Sequence, residues 1–157
     1  MSLAIEKILA PASGHATQSK GEVADQRVNI SVVFTSLESA LGAVKEAGNL
    51  ASVLGARIML LVFQIVPYPL PLETPPVLLG FSENRFRVIA SQSPVETSVQ
   101  IFLCRDRFQT LISVLKPGAL VVVGGRRRRW PWWATKDERL ARKLRRTGCE
   151  VLFKERE

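Results

Sequence analysis

The stretch ALVVVGGRRRRWPWW, residues 119–133, decides how this chain reads. Its opening run, 119–123, is apolar and β-branched without interruption, the pattern of a strand covered on both faces by helices. Gly124 and Gly125 end that strand. Arg126, Arg127, Arg128 and Arg129 leave it directly, and Trp130, Pro131, Trp132 and Trp133 follow. A buried strand that discharges four cations and three tryptophans into a loop suggests an α/β sheet with a binding loop at one rim.

Downstream, Thr135 and Glu138 stand at capping-box spacing, where the hydroxyl caps a helix and the carboxylate reaches back. The helix runs to about Thr147, with Leu140, Ala141 and Leu144 inward and Arg139, Arg142, Lys143, Arg145 and Arg146 elsewhere. Gly148 ends it, and residues 149–153 form a short last strand. Upstream, Phe108, Leu111, Ile112 and Leu115 line one side of a helix over 106–115, stopped by Pro117 and Gly118. Residues 95–104 read as a strand, and 82–91 as a short helix. Pro67, Pro69, Pro71, Pro75 and Pro76 make a stiff extended connection before it. Residues 57–66 form a near-continuous apolar strand. Leu37, Ala40, Leu41, Val44, Ala47, Ala51 and Leu54 recur at helical spacing, with Thr35 and Glu38 as a second capping box and Gly55 as the stop. Residues 28–34 are the first predicted strand. Residues 1–26 have no clear period and read as a flexible leader with a frayed helical turn near 3–9; residues 27–157 form the domain. Strands alternating with helices predict a parallel sheet with right-handed crossovers.

Composition narrows the class further. A chain of 157 residues suits one domain, and 46% apolar residues suit a packed core. Cys104 and Cys149 adjoin apolar runs and read as buried free thiols, so a disulfide scaffold is not indicated. Cys104 has a second reading, a thiol activated by Arg105 and Arg107, against which its neighbours Phe102 and Leu103 favour burial. His15 is the single histidine and sits in the polar leader, where its neighbours offer no triad or metal cluster. No catalytic constellation and no cofactor motif is legible, so the expected activity is binding rather than catalysis. The amino-terminal apolar stretch is interrupted by Glu6 and Lys7 and does not read as a signal peptide, which points to a cytoplasmic protein. Net charge is +8, and residues 126–157 carry 12 Lys and Arg against 5 Asp and Glu, so nearly all the excess lies in the last fifth of the chain. Such asymmetry suggests a face for an anionic partner.

The order and spacing of these segments resemble the universal stress protein family. A strand ending in a small polar residue, a helix carrying EAGNLASVLGARI (46–58), a strand ending in VP (66–67), then ALVVVGGRRRR and CEVLF (149–153) are similar to its two halves. The resemblance covers about residues 27–154. It implies a five-stranded parallel doubly wound sheet of order 3-2-1-4-5, and a homodimer formed through the last strand. Typical members bind ATP through an Asp after the first strand, a glycine pair two residues apart after the fourth, and a Gly-Ser or Gly-Thr opening the last helix. Here Phe34, Thr35 and Ser36 stand after the first strand, Gly124 is kept but Arg127 stands at the second glycine, and Ala134 and Thr135 open the last helix. The usual ATP glycine motif is therefore missing. The pattern is also similar to the stress-protein-like domain of potassium sensor kinases, some of which bind a cyclic dinucleotide.

In open α/β sheets, ligands sit beyond the carboxyl ends of the strands where the order reverses. In the 3-2-1-4-5 order this crevice is lined by Thr35 and Ser36 on one side and by Gly124, Gly125, Arg126, Arg127, Arg128 and Arg129 on the other. A helix start and arginine forks both favour phosphate. Several readings stand. A nucleotide or cyclic dinucleotide could lie there, its phosphates on the arginines and a base on Trp130, Trp132 or Trp133. The Arg/Trp loop could dock on an anionic membrane, a nucleic acid or a partner protein. Or the tryptophans pack under the last helix or in a dimer interface while the arginines stay in water.

Overall fold

The computed structural model describes residues 3–9, 28–71, 79–126 and 134–155. Its elements are β1 (Leu3–Leu9), β2 (Asn29–Val33), α1 (Leu37–Leu54), β3 (Arg57–Ile65), α2 (Leu79–Ser91), β4 (Thr97–Cys104), α3 (Arg107–Val114), β5 (Leu120–Gly125), α4 (Lys136–Arg146) and β6 (Glu150–Glu155). They form one sheet in the order β1-β4-β3-β2-β5-β6. The five strands β2 to β6 are parallel, in the expected 3-2-1-4-5 order. The Rossmann-like α/β architecture read from the sequence is the one observed.

β1 departs from that reading. Residues 3–9 do not make a helical turn; they run antiparallel along β4, Leu3 opposite Leu103 and Leu9 opposite Thr97. The added strand covers a backbone edge that β4 would otherwise present.

Side-chain alternation explains the layers. On β2, Ile30 and Val32 point into a core formed with Ala40, Val44, Ala47 and Ala51 of α1, with Phe86 and Ile89 of α2, and with Ile58, Leu60, Val99, Ile101 and Val122 of the neighbouring strands. Val33 points the other way, into a second core with Leu61, Phe102, Leu111, Val121, Val123, Ala141 and Leu144. The central strands are thus covered on both faces, which is why they read as continuous apolar runs. α1 and α2 share one face, while α3 and α4 cover the other. The helices change face where strand order reverses, between β2 and β5, as right-handed crossovers require. β6, at the open edge, is half exposed, with Leu152 at 40%.

Local signals set the helix ends. Gly55 closes α1 in the left-handed region at φ 64°, its N–H donating to the Ala51 carbonyl. Asp106 caps α3, accepting from the Gln109 N–H. Thr135 and Glu138 form the expected capping box on α4. The other expected box differs: the cap of α1 is Ser36, whose hydroxyl oxygen accepts from the Ser39 N–H. The Pro-rich connection is held by Arg105, which donates to the Val66 and Leu70 carbonyls at 2.6 and 2.7 Å and lies over the Tyr68 ring.

At the end of β5 the helix above comes very close. A Cβ on Gly124 would collide with the backbone carbonyl of Ser39 in α1. Backbone cannot move aside as a side-chain tip can, so Gly124→Ala forces α1 off the sheet. We expect a loss of about 1–3 kcal/mol in urea unfolding, and a Gly124→Ala protein as stable as the parent contradicts this packing.

Candidate functional site

The crevice at the reversal point is built by β2 and β5. Both strands end at the same rim, and Thr35, just beyond β2, donates its hydroxyl proton to the Gly124 carbonyl at 2.9 Å. Phe34 continues the ladder by donating its N–H to the Leu61 carbonyl. Ser36 is exposed and caps α1. Arg126 is exposed immediately after Gly125, and its carbonyl accepts from the Thr135 hydroxyl at 2.9 Å. That bond pinches the base of the loop, so the chain leaves β5 and enters α4 at one point. Thr35, Ser36, Gly124, Gly125 and Arg126 are therefore brought together. Arg127, Arg128, Arg129, Trp130, Trp132 and Trp133 lie outside the described residues.

The geometry changes what Thr35 offers. Its one O–H is committed to Gly124, so towards a ligand it has acceptor capacity only. Donors at the rim come instead from the cations and from the first turn of α1.

Arg107 is the residue the sequence reading left out of the site. It occupies the first position of α3, and its Nη2 donates to the Phe34 carbonyl at 2.7 Å, which ties α3 to the end of β2. Its Nε is buried and meets no acceptor among the described residues. Burial pushes the guanidinium pKa down, while the charge of Asp137 holds it up. Asp137 packs its side chain against Gly125, leaving no room for a Cβ there. Burial raises the Asp137 carboxyl above its ordinary range, Arg107 opposes that rise, and Glu138 adds to it.

Beside this pair, between α3 and α4, opens a cavity of about 270 Å³ lined by Arg107, Phe108, Lys136, Asp137, Arg139, Leu140 and Lys143. The Lys143 ammonium lies 4.9 Å from the centre of the Phe108 ring. The available hint was Asp106-Arg107, a cation opening a helix straight after a buried strand. Nothing local says that it reaches Phe34, 73 residues away.

The remaining reactive groups are accounted for structurally. Glu138 accepts from the Thr135 N–H at 2.8 Å to close the capping box. Cys104 and Cys149 are buried and free. Burial raises the Cys104 thiol, outweighing the opposing hydrogen bond from Thr110 and the small effect of Arg107. The activated-thiol reading of Cys104 therefore gives way to the buried one. Among the described residues, no three His, Cys, Asp or Glu side chains are close enough to hold a metal ion, and no helix is long and apolar enough to cross a membrane.

No protein-family model, curated protein or solved structure matches this chain. What the coordinates define is a Rossmann-like α/β domain whose strand order reverses between β2 and β5, where Thr35 is bonded to Gly124.

Two predictions test this description. Asp137 binds its proton more tightly folded than unfolded, so its contribution to stability is present at low pH and is lost as pH rises from the ordinary 3.8 through its raised folded value. Asp137→Asn removes that contribution. The stability of the variant relative to the parent is therefore expected to rise between acidic and neutral pH, measured as urea midpoints; a pH-independent difference contradicts it. Iodoacetamide at neutral pH is expected to leave both cysteines unlabelled in the folded protein and to label both in urea.

Proposed function

We propose that this chain is a non-catalytic regulatory domain of the stress-protein kind that binds a nucleotide or cyclic dinucleotide at the carboxyl rim of its sheet. The usual glycine grip on ATP is absent, and arginines stand in its place. The observation that carries the reading is the Thr35–Gly124 hydrogen bond, which sets the start of α1 beside the point where the Arg-rich loop departs. A helix start and an adjacent guanidinium, Arg126, suit a phosphate. Sequence continuity adds Arg127, Arg128 and Arg129 to the same loop, and Trp130, Trp132 and Trp133 offer faces for a base.

One observation favours a second reading, docking on an anionic membrane or nucleic acid. The exposed face of α4 carries Arg139, Arg142, Lys143, Arg145 and Arg146 in addition to the loop cations. Assembly as a homodimer through β6 belongs to the proposal as well: β6 lies at the end of the sheet opposite β1, and Leu152 is partly exposed on it.

The test is a thermal-shift titration with nucleotides and cyclic dinucleotides. A bound ligand at 100 times its Kd stabilises the fold by about 2.7 kcal/mol. We expect a saturable rise in melting temperature with at least one of them, diminished in Arg126→Ala and Arg127→Ala. The absence of any saturable rise, with steeply salt-dependent binding to vesicles or nucleic acid in its place, would overturn the nucleotide reading in favour of docking.

A further inference from the structure

We infer that the cavity between α3 and α4 is a second binding site, for a compact organic phosphate, formed by Arg107, Lys136, Arg139 and Lys143 over an apolar floor of Phe108 and Leu140. It lies on the α3/α4 side of the sheet, needs nothing from residues 127–133, and goes beyond the rim reading.

The arrangement of charge is the first reason. Arg107 and Lys136 are the first residues of α3 and α4. Positive side chains are disfavoured at that position, because the helix dipole and the free N–H groups there are already positive. Arg139 and Lys143 are four residues apart on one helix, a spacing at which like charges repel. Four cations thus face one cavity against a single lining carboxylate, Asp137. A phosphate with two negative charges would relieve each of these repulsions at once.

Arg107 supplies the second reason. It is the innermost of the four cations, held in place through Phe34, and its Nε is buried without an acceptor among the described residues. A guanidinium fixed at one nitrogen is a preorganised donor through its Nη groups, since little freedom remains to be lost when an anion arrives.

The floor sets the rest of the ligand. Phe108 and Leu140 are only partly buried and give the cavity an apolar base. The volume, about 270 Å³, is at the small end of ligand pockets, which run from roughly 300 Å³ upward. A short phosphate ester with a planar or apolar body fits this combination better than inorganic phosphate does.

Calorimetric titration of the full chain with phenyl phosphate and with inorganic phosphate tests the assignment. Phenyl phosphate is expected to bind saturably and several-fold more tightly than phosphate, a preference lost in Phe108→Ala. Arg139→Glu with Lys143→Glu, both exposed and outside the core, should weaken phenyl phosphate at least about tenfold. Arg142→Glu with Arg146→Glu makes the same charge change on the same helix away from the cavity, and should stay within about threefold of the parent. Unchanged melting curves show that each variant is folded. No saturable phenyl phosphate binding, equal losses in the two pairs, or an unaffected Arg139/Lys143 pair overturns the site. Loss confined to Arg126→Ala and Arg127→Ala would also overturn it, while leaving the rim reading in place; a nucleotide-silent protein that still binds phenyl phosphate here would sink only the rim.

Discussion

The Thr35 hydroxyl donates to the Gly124 carbonyl across the line where the sheet reverses its strand order, and the functional geometry depends on that closure. β2 feeds α1 on one face and β5 feeds α4 on the other, so the two strand ends diverge into helices on opposite sides. The cross-tie extends the β2–β5 pairing beyond its last ladder pair, Val33 and Val123. Gly124 permits the tie by letting α1 settle onto β5, and Gly125 does the same for Asp137 of α4. Two adjacent glycines thus serve two helices, one on each face.

This arrangement concentrates positive charge without spending core stability on it. Arg107 is a partly buried cation at the rim. Its burial cost is offset by a hydrogen bond to Phe34 and by the field of Asp137. Arg126 and the described cations of α4 are exposed, where water and salt limit repulsion.

Much of the fold was legible because its strands are buried on both sides. Residues 28–34, 57–66 and 119–123 are predominantly apolar stretches between helical periods, and Gly55, Asp106 and Thr135 mark helix ends where the structure has them. β1 was not legible, since an edge strand needs no continuous apolar run and Glu6 and Lys7 break its pattern. Thr35 and Glu38 stand at capping-box spacing, yet Ser36, one residue on, is the cap. The Thr35 hydroxyl instead donates to the Gly124 carbonyl, a partner 89 residues away that no local signal announces. The same holds for the candidate site: Arg126 announces itself by its neighbours, whereas Arg107 belongs to the rim only through a contact that folding creates.

Urea unfolding of Thr35→Val beside Thr35→Ser tests the cross-tie directly. Valine keeps the shape and removes the proton donor, leaving the Gly124 carbonyl without its hydroxyl partner, and serine restores it. The valine protein is expected to lose about 1 kcal/mol or somewhat more, with serine recovering most of it. A valine variant as stable as the parent would mean that the two strand ends are not held together by this bond.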